Sequence, residues 1–152
     1  LTTDLGKYFN APHSWEWARD YMVESCLSDW EIESTDFMAF LEGQYNLNKK
    51  LINSPANHGV FFADSDSMVT RMYAEYYAKD NTCALTEGEF EKVAVLADEL
   101  TSKCKWDKIF FLLACSLHAV QGIHLICLQR FAFMVLIQIH CHHSIHFCNI
   151  SV

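Results

Sequence analysis

Apolar residues at Leu1, Leu5, Tyr8 and Phe9 follow the i, i+4, i+7, i+8 spacing of one helix face, and the pattern predicts a helix over 1–9. Asn10-Ala11-Pro12 ends it, because proline cannot continue a helix. His13 to Trp17 predicts a short extended piece, and Ala18 to Leu27 a short helix. A longer helix is expected over Ser34–Asn53, with Phe37, Phe40, Leu41, Leu47 and Leu51 near one stripe and Ser34 or Thr35 as N-cap. Asn53 to Gly59 is a turn cluster. Val60-Phe61-Phe62-Ala63 is an unbroken apolar run, the mark of a strand buried on both faces. Ser67 to Lys79 predicts a helix, and Thr86-Glu87-Gly88-Glu89 opens another with a capping box, running to about Lys103. Trp106 to Leu113 predicts a second buried strand. Strands alternating with long helices indicate an α/β fold with a parallel sheet.

At 152 residues and 51% hydrophobic, the chain has material for one domain and a core. A net charge of −8 with no basic patch argues against a nucleic-acid surface. The chain opens at Leu1 with no basic n-region or small-residue cleavage site, so no signal peptide is expected and the true start is expected upstream. Its 7 cysteines have no regular spacing, which predicts reduced thiols and a cytoplasmic location. Charge is unevenly spread: all 19 acidic residues precede residue 114, and Arg130 is the only lysine or arginine after it. Residues 114–152 are instead rich in His and Cys. Two regions are therefore expected, 1–113 as a partial domain and 114–152 as an atypical apolar tail.

The candidate chemistry sits past the first buried strand, at Asp64-Ser65-Asp66. Ligands of open α/β sheets bind at the carboxyl ends of strands. An aspartate there can cap the next helix. It can equally serve as a base or a Mg²⁺ ligand, since hard cations take oxygen donors beside substrate phosphates. Trp15 and Trp17 read as core aromatics. Glu16, Arg19 and Asp20 read as a solvated helix start with an ion pair.

Four stretches together carry a resemblance. Phe9-Asn10 followed by Trp15-Glu16-Trp17-Ala18-Arg19-Asp20-Tyr21 resembles the "FN…WEYAREY" segment of NadR-type nicotinamide riboside kinase domains, a family of AAA-like P-loop ATPases. Glu42-Gly43-Gln44 is similar to the family's "GQ", and Phe61 to Asp66 with Thr70 is similar to its "hhhDTD…T". Trp106 to Leu112 resembles the next core strand, so the likeness covers about residues 1–113. It implies a P-loop NTPase-like three-layer parallel sheet with flanking helices, here incomplete, and ATP and Mg²⁺ as cofactors. The implied reaction is ATP-dependent phosphorylation of nicotinamide riboside to the mononucleotide. Asp64 and Asp66 would be catalytic, one holding Mg²⁺ and one accepting the 5′-hydroxyl proton. Trp15, Glu16, Arg19, Asp20 and Gln44 would bind the nucleoside.

The resemblance also implies parts that this sequence does not contain. It has no Gly-x-x-x-x-Gly-Lys-Ser/Thr run and no Asp-Gly-x-Arg lid segment, so the chain is expected to be inactive by itself. Alternatives are a parent acting on another nucleoside, a nucleotide-binding regulatory module without turnover, and a pseudogene product without function. The 39-residue tail has three readings. They are a membrane span over 109–129, a metal site among His140, Cys141, His142, His143, His146 and Cys148, and a frameshifted or read-through segment. The frameshift is preferred, because a core strand is followed abruptly by a stretch without a single acidic residue.

Overall fold

The computed structural model describes residues 1–80, 82, 83, 85–113 and 132–139, the side chains through Phe110 and the later strands as backbone. The first helix, α1 (Thr2–Phe9), stops at Asn10, whose φ of 49° is left-handed. Asparagine tolerates that conformation better than most residues. The extended piece is a two-residue strand, β1 (His13–Ser14), and α2 (Trp17–Glu24) follows it directly. A single 3₁₀ turn at Asp29–Glu31 leads to α3 (Ser34–Ile52). The N-cap of α3 is Glu33, not Ser34 or Thr35 as expected, because Asp36 Oδ2 accepts the Glu33 N–H at 2.8 Å.

The apolar run forms β2 (Val60–Ala63), and only Asp64, Ser65 and Asp66 separate it from α4 (Ser67–Asp80). The next helix, α5 (Glu87–Lys103), begins at the predicted capping box: Glu89 Oε2 accepts the Thr86 N–H at 2.9 Å. Two further strands, β3 (Lys108–Leu113) and β4 (Ala132–Ile139), complete the described elements. Mixed α/β architecture, with five helices among the described residues, is as the sequence predicts.

The sheet order is β1-β2-β4-β3. β1 and β2 are parallel, with His13 opposite Phe62 and Ser14 opposite Ala63. β4 is antiparallel to both β2 and β3, so β1, β2 and β3 share one direction and β4 alone opposes them. No strand is expected at 132–139 from the sequence. An apolar run of that length fits a buried strand and a piece of buried helix equally well, so periodicity could not single it out. Of the proposed membrane span over 109–129, residues 109–113 belong to β3 and the rest lie outside the described residues. The His/Cys set from His140 to Cys148 also lies outside them. Among the described residues no helix is long and apolar enough to cross a membrane.

Two apolar clusters hold the elements together. Phe37, Phe40 and Leu41 of α3 meet Ala74 and Tyr77 of α4 and Val93, Ala97 and Leu100 of α5. Each large side chain so buried contributes about 1.5–3 kcal/mol relative to exposure. The second cluster forms around Phe61 and Ala63 of β2, covered by Leu51, Ile52, Met68, Val69 and Trp106. It fixes the carboxyl end of β2, and with it the Asp64-Ser65-Asp66 corner.

Candidate active site

The apolar stripe of α3 does not stop where its hydrophobic residues do. Phe37, Phe40, Leu41, Gln44 and Asn48 lie on one helix face by spacing, and all five are buried. A buried amide needs partners, and both find them. Gln44 Oε1 accepts the Trp17 backbone N–H at 2.8 Å. Gln44 Nε2 donates to the Trp15 carbonyl and to Asn48 Oδ1, each at 3.1 Å. Asn48 Nδ2 in turn donates to the Ser65 carbonyl at 3.1 Å. Two segments 50 residues apart, Trp15-Glu16-Trp17 and Asp64-Ser65-Asp66, are thus joined through one helix face.

Glycine at position 43 permits this approach. The Trp17 indole lies against Gly43, and a Cβ there would meet the six-membered part of the ring well inside contact distance. Any side chain at 43 would push Trp17 off α3 and pull its N–H from Gln44.

Between these segments opens a cavity of about 590 Å³. Glu16, Arg19, Gln44, Ser65, Thr70 and Tyr73 all contribute to its wall. Its lining also includes Phe37, Phe40 and Tyr77. A concave, mainly apolar space with a few convergent polar groups is the common form of a small-molecule site.

The predicted site residues divide into two groups. Glu16, Arg19 and Gln44 line the cavity, while Trp15, Asp20, Asp64 and Asp66 stand outside its wall. Arg19 pairs with Glu16 at 2.7 Å, and the exposed Trp15 donates its indole N–H to Asp20 Oδ2 at 2.6 Å.

The two aspartates differ sharply. Asp66 is 2% exposed and caps α4, its Oδ1 accepting from the backbone N–H of Met68 at 2.9 Å and of Val69 at 3.3 Å. Its Oδ2 accepts the indole N–H of Trp106 at 2.8 Å. Burial raises its carboxyl above the usual value, and the bonds from Val69, Trp106 and Met68 pull the other way. Both oxygens are therefore engaged by protein donors. Asp64 is half-buried, and its carboxylate has no hydrogen-bond or ion-pair partner among the described residues. Its backbone N–H pairs with the Ser14 carbonyl at 3.3 Å, which aims the residue from the end of β2.

Sequence reasoning missed Asn48, the Trp106 indole donor and the aromatic wall. The signal for Asn48 was its place four residues after Gln44, on a stripe already marked as buried.

No protein-family model matches the chain, and neither does any curated protein. Solved structures similar to it include a NadR protein in complex with NR and a NadR protein in complex with NAD and AMP-PNP. Each is 34% identical, with a TM-score of 0.62, over 68% of this chain. The chain carries a NadR-like domain. It spans only 27% of each solved NadR chain. The NadR-like fold agrees with an incomplete P-loop type of architecture, and the neighbours that share it bind NR or a nucleotide pair.

Proposed function

We propose that this NadR-like domain is the nucleoside-holding part of an ATP-dependent nucleoside kinase whose acceptor is nicotinamide riboside, and that by itself it binds without turnover. The observation that carries the reading is the double tie of Gln44, direct to Trp15 and Trp17 and through Asn48 to Ser65. It ties the segment that carries Glu16 and Arg19 to Ser65, the middle residue of the aspartate corner, and these three residues line one cavity.

The cavity suits that substrate. Nicotinamide riboside carries a cationic ring, and aromatic faces attract cations. Phe37, Phe40, Tyr73 and Tyr77 supply such faces, and the chain is acidic overall. Glu16 and Arg19 offer an acceptor and a fork of donors for the ribose hydroxyls. Trp15 with Asp20, outside the wall, would close over an edge of the nucleoside. Gln44 fixes the backbone that presents them.

Of the two aspartates, Asp64 is proposed to accept the proton of the 5′-hydroxyl or to hold Mg²⁺, because its carboxylate is the one without a protein partner among the described residues, although it stands outside the cavity wall. Magnesium is commonly bound by one or two carboxylates, substrate phosphates and water, and a half-buried carboxylate without a protein partner fits that demand. When bound, the ion would neutralise charge on the transferring phosphoryl group. Asp66, with both oxygens occupied, would orient the corner by capping α4. The sequence has no Gly-x-x-x-x-Gly-Lys-Ser/Thr run to cradle triphosphate, so binding without phosphorylation is expected.

Calorimetric titration with nicotinamide riboside, adenosine and uridine tests the reading. Saturable binding that favours nicotinamide riboside is expected. No saturable binding, or equal binding of all three, would overturn it, and turnover that depends on Asp64 would overturn the expectation of inactivity.

A further inference from the structure

We propose that Asn48 is a positioning residue of the cavity, acting through Gln44. The inference rests on the functional reading for what the cavity binds, but not for the coupling itself. Asn48 is 1% exposed and is not part of the cavity lining. Its carboxamide is used at both ends, accepting from Gln44 Nε2 and donating to the Ser65 carbonyl. Gln44 uses its own amide on Trp17, Trp15 and Asn48.

The chain of bonds has a direction. Asn48 Oδ1 draws one Nε2–H of Gln44 along the helix axis, which leaves the other for the Trp15 carbonyl and turns Oε1 toward the Trp17 N–H. The Gln44 carboxamide is therefore held in one of its two flipped orientations. The Trp17 N–H and the Trp15 carbonyl select the same orientation, so Asn48 adds the third bond, the one that ties this carboxamide to the Ser65 corner; without it the two local bonds are left unbraced. The Glu16 and Arg19 side of the cavity would then lose its register with the Ser65 side, although Asn48 touches neither tryptophan.

Asn48→Ala and the milder Asn48→Ser test this, with Val93→Ala as a control. Val93 is fully buried in α5, is not itself a lining residue and has no polar side-chain atom to bond the relay, so its truncation lowers stability while leaving the relay bonds in place. Amide hydrogen exchange is read at Trp17 under conditions where every variant is folded. Exchange about tenfold or more faster at Trp17 is expected in both Asn48 variants, with little change in Val93→Ala beyond the shared loss of stability. Unchanged protection of Trp17 in a folded Asn48 variant would overturn the proposal.

Affinity for nicotinamide riboside forms the second arm. A loss of about tenfold is expected in Asn48→Ala and a clearly smaller one in Val93→Ala, which packs behind the aromatic wall but leaves the relay intact. Unchanged affinity in Asn48→Ala would also overturn the positioning role. If the unmodified chain does not bind the nucleoside, the functional reading fails, and the exchange measurement still decides the relay.

Discussion

Trp106 donates its indole N–H to the buried carboxylate of Asp66 across 40 residues of chain, and its ring stacks on Phe61 at 6.1 Å. The corner that follows β2 is thus pinned from outside by the segment after α5. Trp106→Phe keeps the stacking surface but removes the donor. A loss of about 1.5–3 kcal/mol is expected, the range for a hydrogen bond to a charged group. Urea denaturation of both proteins checks it, and an unchanged midpoint would show that the bond contributes nothing.

The same carboxylate predicts a pH dependence. Burial raises the folded-state value of Asp66 above its ordinary 3.8, so the folded chain binds a proton more readily than the unfolded chain. Its contribution to stability is fully present below 3.8 and is lost as pH rises through the raised folded value. Relative to Asp66→Asn, the native protein should therefore lose stability as pH rises through this window. Denaturation of both proteins across a pH series, in buffer containing a chelator, tests the sign. A difference that stays flat or grows with pH would contradict it. Trp106→Phe should move the window upward, because that bond lowers the Asp66 value.

Gly43→Ala should be costly for a reason local to the Trp17 ring. The added methyl collides with the indole, and overpacking of this kind costs about 1–3 kcal/mol. The expected signature is lower thermal stability together with weaker nicotinamide riboside binding, since Trp17 must move. A variant as stable as the original would mean that the ring yields freely.

Asp64→Asn should separate function from stability. With no partner for its carboxylate among the described residues, the substitution is expected to change stability by less than about 0.5 kcal/mol. Binding of Mg²⁺ together with a nucleotide should weaken. Equal metal response in both proteins would remove Asp64 from that role.

Much of this arrangement is legible along the chain. The capping box at Thr86 and Glu89 marks the start of α5, and the apolar run at Val60–Ala63 marks the strand that carries the acidic corner. The roles of the two aspartates are less so. Asp66 caps α4 through donors two and three residues on, but its second oxygen is taken by a donor 40 residues away, and no local pattern contains that donor. Gln44 and Asn48 escape for a different reason. Amides on a buried stripe look like interruptions of an apolar face, and only their partners show that they continue it. The parallel register of β1 and β2 follows from alternating strands and helices, while the opposed β4 comes from a region whose composition gave no such rhythm.

The opposed strand has a consequence for handling the protein. Among the described residues β3 is an edge strand whose sheet partner is β4, and β4 also covers the flank of β2 that faces away from β1. Proteolysis or trimming before Ala132 would uncover the Val60–Ala63 ladder and detach β3 from its neighbour in one cut. Bare apolar edges recruit strands from other molecules, so versions that lack β4 should clump, and preparations should keep residues 132–139.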